Sequence, residues 1–316
     1  MTRPLPRSRS RSIGVLLAAL VSLVTMVALV APATTASAAT SGPRLAKAST
    51  TTAQQDRVDK YWTTSRMRHA SVAPAPAAKT PGESVARGTK VTIQDTPASS
   101  DTQAAAAAVS STTGKVFFTL GGFDYVCSGS ATSSSNSDVV STAGHCVNEG
   151  PGDFATNWAF VPAYNNGSAP FGTWTARTLV TTGQWANNGD INYDTGFAVM
   201  NTNGGSHLTS VVGGQGVAFN LARHLSYTAY GYPAAPPFDG ETLKSCAGTA
   251  VDDTFGGTQS QGISCNMTGG SSGGPWFTGG VQNSINSFGY DGVANTMFGP
   301  YWGSVIQGAY NAAATA

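Results

Sequence analysis

Charge is scarce in this sequence: only 10% of its 316 residues are Asp, Glu, Lys or Arg. The scarcity is one-sided beyond Ala106, where 4 Lys and Arg face 11 Asp and Glu, a net of −7 (4 − 11). The first 106 residues hold 13 against 5, a net of +8, and the two parts sum to the overall +1. A large acidic part with few cations excludes nucleic acid as a partner, because phosphate neutralisation needs Lys or Arg. Histidine is equally sparse, at 4 residues, as is cysteine, at 4. Neither a C-x-x-C pair nor an H-E-x-x-H run occurs, so no metal site and no cofactor are expected. No 33 to 45 residue repeat is evident, which argues against solenoids and propellers. After residue 40 there is no second long apolar run, so no membrane span is expected once the amino terminus is processed.

That amino terminus carries Arg3, Arg7, Arg9 and Arg11, then an apolar run from Ile13 to Val30, then Ala36-Ser37-Ala38-Ala39. A basic start, an apolar stretch and a small-residue site describe a signal peptide over residues 1–39. The run is nearly long enough for a membrane anchor, but the A-x-A site favours cleavage and a secreted, extracellular protein. Cys127, Cys146, Cys246 and Cys265 then sit in an oxidising compartment, where disulfides persist. Four cysteines permit three pairings. Pairing by proximity, Cys127 with Cys146 and Cys246 with Cys265, would close two short loops, each contributing about 3 kcal/mol.

Residues 40–110 are rich in Ala, Thr, Ser and Pro, with Ala73-Pro74-Ala75-Pro76 and Thr80-Pro81-Gly82 interrupting any regular element. They read as a pro-region or linker, largely flexible. One stretch, about Gln54 to His69, places Val58, Tyr61, Trp62 and Met67 among charged residues and predicts a short amphipathic helix, either isolated or docked. Residues 111–316 change character. Short runs rich in Val, Phe, Thr and Tyr, such as Val116–Leu120, Val139–Ala143, Thr173–Val180, Phe197–Met200, Leu225–Tyr232 and Ile285–Tyr290, alternate with Gly, Asn and Ser. Many short strands with polar turns predict an all-β sandwich or a pair of barrels. Trp302, Val305, Ile306 and Ala309 recur at helical spacing and predict one short closing helix packed on the core.

Three motifs carry chemistry. In Gly270-Ser271-Ser272-Gly273-Gly274-Pro275, glycines flank a serine, which permits a sharp turn that aims backbone N–H groups at one point. Ser272 is the candidate nucleophile, and the amides of Gly270 and Ser272 are the candidate oxyanion hole. A serine hydroxyl needs a base, and Ser141-Thr142-Ala143-Gly144-His145-Cys146 puts a histidine at the end of an apolar strand, beside a cysteine that can fix it. His69 falls in the pro-region, and His207 and His224 lack such a scaffold. In Tyr193-Asp194-Thr195-Gly196-Phe197, a carboxylate directly precedes an apolar strand and would be carried inward, where an imidazole N–H offsets its desolvation. Asp190 competes, four residues earlier, but no strand begins there.

The order His, Asp, Ser, with Thr142-Ala143-Gly144-His145-Cys146 and Gly270-Ser271-Ser272-Gly273-Gly274-Pro275, resembles the trypsin-like, chymotrypsin-fold serine peptidases, especially their secreted bacterial branch. The resemblance spans about residues 112–312. It implies two six-stranded antiparallel β-barrels packed face to face, with His145, Asp194 and Ser272 as a catalytic triad in the cleft between them. It implies the Cys127–Cys146 disulfide beside His145, with Cys246 and Cys265 bracing the approach to the nucleophile. Ser287-Phe288-Gly289 resembles the segment that pairs with substrate backbone. Asn266 is expected near the base of the specificity pocket, with Asn286 and Ser287 on its wall. One position departs from the family pattern: Ser271 stands where members activated by a new amino terminus carry an acidic residue. Cutting the pro-region would then activate a zymogen by uncovering the cleft or completing folding.

The resemblance implies a secreted endopeptidase acting on protein or peptide substrates, monomeric, with the pro-region as an intramolecular partner. The readings it competes with are a catalytically inactive relative and a secreted carbohydrate-binding β-domain, whose exposed aromatics would stack on sugars.

Overall fold

The computed structural model describes residues 42–76, 85–99 and 109–316. The expected signal peptide lies outside the described residues, as does Thr80-Pro81-Gly82. The stretch before residue 110, expected to be largely flexible, instead carries β1 (Arg44–Lys47), α1 (Thr52–Tyr61), α2 (Thr64–His69), β2 (Ser71–Val72) and β3 (Val91–Ile93), then a helical turn, α3 (Val109–Thr112). The physical reason is tertiary: each element is completed by a partner further along the chain.

The first half of the remaining chain forms β4 (Thr113–Leu120), β5 (Phe123–Thr132), β6 (Val139–Thr142), β7 (Thr156–Pro162), β8 (Trp174–Thr181) and β9 (Gly196–Met200), with α4 (Gly183–Asn188) between the last two. Pairing runs β4-β5-β6-β9-β8-β7 and returns to β4, every contact antiparallel, so the six strands close into a barrel. Closure removes free edges and turns alternate side chains inward. Val116, Phe118, Val140, Phe160, Leu179 and Phe197 fill the core. The β4–β5 hairpin turns on Gly121 and Gly122, both at positive φ, as a two-residue hairpin requires.

The second half contains α5 (Leu208–Val212), β10 (Val217–Phe219), β11 (Ser226–Gly231), β12 (Lys244–Thr249), β13 (Val251–Asp252), β14 (Gln261–Ser264), β15 (Pro275–Thr278), β16 (Val281–Ile285), β17 (Thr296–Gly299) and α6 (Ser304–Ala314). It differs in detail from a closed six-stranded barrel. A six-stranded sheet, β12-β11-β15-β16-β10-β3, stands beside a three-stranded one, β13-β14-β17. The Cys246–Cys265 disulfide joins β12 to the residue after β14, linking the two sheets covalently where no ladder does. The predicted run Ile285–Tyr290 ends its ladder at Ile285, because Asn286 turns to exchange backbone hydrogen bonds with Gly273 and Gly274. The closing helix is present as α6, with Ile306 and Ala309 buried.

The early elements wrap this body. β1 adds antiparallel to β8, and β3 extends the second sheet through β10. The expected single helix is two, broken at Trp62-Thr63, where Thr63 caps α2. Thr51 and Gln54 form a reciprocal capping box at the start of α1. Val58, Trp62 and Met67 bury against Phe117, Val126, Ala159, Val161 and Tyr164 of the barrel, so the amphipathic stretch is docked.

Candidate active site

β6 ends at Thr142, and the chain tightens into a one-turn 3₁₀ helix, Gly144–Cys146. β9 starts at Gly196, after a second such turn, Ile191–Tyr193, and pairs with β6 so that Thr142 faces Gly196. This antiparallel register brings the residue after one strand end next to the residue before the other strand start. His145 and Asp194 meet there.

The Asp194 carboxylate is fully buried and accepts three hydrogen bonds. Oδ1 takes the His145 backbone N–H at 2.8 Å, while Oδ2 faces His145 Nδ1 at 2.8 Å and accepts from Ser287 Oγ at 2.5 Å. A buried carboxylate needs this satisfaction to hold its charge. Bonding Nδ1 to a carboxylate sets the proton on Nδ1 and leaves Nε2 as the basic nitrogen. Nε2 is buried and without a partner among the described residues. The Trp185 ring stands edge-on at 6.3 Å from the imidazole. Asp190, the competing acid, caps the 3₁₀ turn by accepting from the Asn192 N–H at 3.0 Å. It helps present Asp194 but does not bond His145.

Ser272 arrives on the loop between β14 and β15, and Ser128 of β5 clamps that loop. The Ser128 N–H donates to the Ser272 carbonyl at 2.7 Å, and its Oγ donates to the Gly270 carbonyl at 2.9 Å. Cys127, one residue earlier, is disulfide-bonded to Cys146, next to His145. One strand and one covalent link therefore bring the serine loop and the histidine turn together. Gly270 and Gly273 adopt positive φ, and a Cβ on Gly273 would lie 2.2 Å from Thr142 Oγ1, so this turn excludes a side chain. Within the loop the amides of Ser271, Gly273 and Gly274 bond Thr268, Asn286 and Ser271. Those of Gly270 and Ser272 have no partner among the described residues, which leaves two donors for an oxyanion. Ser271 Oγ donates to the Thr268 carbonyl at 2.8 Å, so the position carries a local hydrogen bond and no carboxylate.

The expected substrate-contact residues divide. Gly289 is exposed beside the site, as a backbone-pairing position must be. Ser287 is buried, with its hydroxyl given to Asp194. Asn286 is buried too. Its side chain accepts from Trp276 Nε1 and donates to the Tyr230 and Ser271 carbonyls, so it braces the nucleophile loop. Asn266 is exposed. Sequence reasoning missed Ser128 and the Ser287–Asp194 bond, and no signal in the chain pointed to either, because both are contacts over long sequence separations. Among the described residues, the one cluster with metal-like spacing is His145 with Cys127 and Cys146, and its two sulfurs are bonded to each other.

Further along the rim, Asp253 accepts from Thr258 Oγ1, from Tyr290 Oη and from the N–H groups of Phe255, Gly256 and Thr258. Burial works to raise its pKa, but these hydrogen bonds outweigh it and hold the carboxyl below the usual Asp value. The turn props the exposed Phe255 ring against Tyr290.

No protein-family model and no curated protein matches the chain. Solved structures do. The protease Anisep from Arthrobacter nicotinovorans is 56% identical, with the match covering 72% of this chain and 100% of that one at a TM-score of 0.64. A thermostable serine protease, AL20, from an extremophilic microorganism is 51% identical over 65% of this chain and 98% of its own, at a TM-score of 0.63. A Glu endopeptidase at 16% identity and a TM-score of 0.54 shares the fold. With identity above half across essentially the whole of two such enzymes, this chain belongs to the bacterial trypsin/chymotrypsin-fold serine proteases.

Proposed function

We propose that this serine endopeptidase cleaves peptide bonds through an acyl-enzyme formed on Ser272, with His145 as general base and then acid, and Asp194 as the group that orients it. The observation that carries the reading is His145, held at Nδ1 by a buried carboxylate with no hydrogen-bond partner at Nε2 among the described residues, while Ser128 clamps the Ser272 loop and the Cys127–Cys146 disulfide ties that strand to the histidine turn. In the first step the Ser272 hydroxyl gives its proton to Nε2 and its oxygen bonds the scissile carbonyl carbon. The carbonyl oxygen takes the charge and is met by the Gly270 and Ser272 amides. Collapse expels the amine with the proton from Nε2, and water repeats the sequence on the ester. Gly289 pairs with the acyl-side backbone.

The basic start, the apolar run and the small-residue site support a signal peptide and secretion. Two disulfides suit an extracellular protein. The protein is a monomeric zymogen in this reading, acting on proteins or peptides. Basic substrates are not required at the acyl side of the scissile bond. Asp252 is paired with Arg223 and His224, Asp291 is exposed, and the five hydrogen bonds to Asp253 leave it no call on a cation. Nothing favours the inactive or sugar-binding readings. The test is labelling of the processed protein with a fluorophosphonate probe. Labelling abolished by Ser272→Ala supports the assignment, and equal labelling of that variant refutes it.

A further inference from the structure

The early segment does more than decorate the barrel. After α2 the chain runs as β2 alongside β5 in parallel, Ser71 opposite Tyr125 and Val72 opposite Val126, directly before Cys127 and Ser128. Val72 crowds Gly269, the neighbour of the candidate oxyanion residue Gly270: a Cβ on Gly269 would lie 2.3 Å from Val72 Cγ1. Ala73 is buried in the main core. Pro74, Ala75 and Pro76 then form one wall of a cavity of about 330 Å³ whose other walls include Phe123, Tyr125, His145 and Trp185. The strap thus passes from the nucleophile loop to the imidazole.

In acyl transfer the leaving amine takes its proton from His145, so the chain behind that amine must depart past the imidazole. The cavity is walled by His145 and Trp185, and neither Ser287 nor Gly289, the expected acyl-side contacts, lines it. From this we infer that residues 71–76 are an intramolecular inhibitor occupying the leaving-group side of the cleft, and that α1–α2 is the clamp holding them there. The inference rests on the triad reading above.

The strap's chemistry suits an occupant that is not a substrate. Its prolines keep the chain extended and lack the N–H groups that a substrate backbone offers to a cleft edge. The clamp is strong for its size. Trp62 is 4% exposed, packs on Phe117 with ring centroids 5.5 Å apart and donates from Nε1 to the Asn157 carbonyl. Arg66 and Tyr61 both reach Asp124 at the start of β5. Removing the segment would uncover the apolar face that Val58, Trp62 and Met67 now fill, so the docked state is favoured by burial.

The experiment uses the intact chain from residue 40, its length verified by mass, in three forms: Trp62→Ala, Val72→Asp and, on the exposed face of α1, Lys60→Ala. Near-UV circular dichroism establishes that each is folded, and the two loosening variants stand in for each other. Two substrates are compared, one ending in a small chromogenic leaving group and one extending three residues beyond the scissile bond. In the unaltered chain the extended substrate is strongly disfavoured. Trp62→Ala and Val72→Asp raise its kcat/KM by roughly tenfold or more, because apparent affinity follows the fraction of open molecules. They change the short substrate little, and Lys60→Ala changes neither. In a Ser272→Ala background the same two substitutions restore binding of the extended peptide, measured by fluorescence anisotropy. Equal turnover of the extended substrate by all forms, abolished by Ser272→Ala, overturns the strap while leaving the triad intact. Absence of turnover and of fluorophosphonate labelling in every folded form overturns the triad, and the strap with it.

Discussion

Asp194→Asn is nearly isosteric, and the surroundings of this carboxylate determine its effect. Oδ1 accepts the His145 backbone N–H, while Oδ2 meets His145 Nδ1 and the Ser287 hydroxyl. An asparagine has one acceptor and one donor end. If its oxygen stays at the Oδ1 position, its NH₂ faces Nδ1, which must then present a lone pair and shift the ring proton to Nε2. The nitrogen that should accept the Ser272 proton is then already protonated. If the amide flips, two N–H donors oppose each other in a buried site, at a cost of about 1–3 kcal/mol. The first arrangement deprives the reaction of its base, and the second keeps Nε2 basic but is disfavoured by that cost, so the first prevails. The expected loss in kcat is roughly 10⁴-fold, about 5 kcal/mol of transition-state stabilisation. The assay is kcat and kcat/KM on a chromogenic peptide with the activated enzyme, with Asp190→Asn in parallel. Asp190 touches the turn and not the imidazole, so its variant should lose far less. An Asp194→Asn enzyme within tenfold of the parent, or a larger loss in Asp190→Asn, would falsify the assignment.

Other expectations follow from the packing. Replacing Cys246 and Cys265 together by Ser opens a link across a sequence separation of 19 and should cost about 3 kcal/mol, seen as a Tm lower by roughly 6–12 °C; a fall under about 2 °C contradicts the bracing role. Asp253 has a depressed folded pKa, so its stabilisation is present above the ordinary Asp range and is lost as pH falls through the folded value. Asp253→Asn should therefore lower Tm at pH 6 and flatten its decline toward pH 2, and two parallel Tm curves would argue against that linkage. Lys115 is nearly buried, 3.5 Å from Glu241; burial pushes its pKa down, against the opposing pull of Glu241. With its folded pKa lowered, Lys115 lends stability only as pH rises toward the unfolded lysine range. Lys115→Met should stay within about 1 kcal/mol of the parent at neutral pH, because Tyr164 still donates to Glu241. A large loss in denaturant midpoint would show that the ion pair matters more than its desolvation.

Much of the candidate site was legible in the chain because its motifs are local. The turn around Ser272 needs its flanking glycines, and a histidine at a strand end next to a cysteine is readable from six consecutive residues. Asp194 was legible by position, since a carboxylate directly before an apolar strand is carried inward with it. The all-β class followed from short strands punctuated by Gly and Asn, and α6 from a helical spacing of apolar residues.

What resisted reading depends on contacts between distant positions. Ser128 clamps a loop more than 140 residues away, and Ser287 supplies the third hydrogen bond to Asp194 across a separation of 93. Neither partner leaves a mark on the other's neighbourhood in sequence. Asn286 looked like a pocket wall and is a brace, because each end of its side-chain amide finds a buried partner only after the loop folds. The early segment shows the divide most plainly. Its Ala, Thr, Ser and Pro composition carries too little apolar surface to fold by itself, so the chain alone described a linker. The barrel provides the missing half: a free side of β8 for β1, an apolar face for Val58, Trp62 and Met67, and a pairing partner in β5 for Ser71 and Val72. The sequence alone singled out the candidate residues for the chemistry and roughly where the strands run, because those properties lie in adjacent side chains. The tertiary structure alone decided which of them meet and what covers them, because burial and pairing belong to the folded surface as a whole.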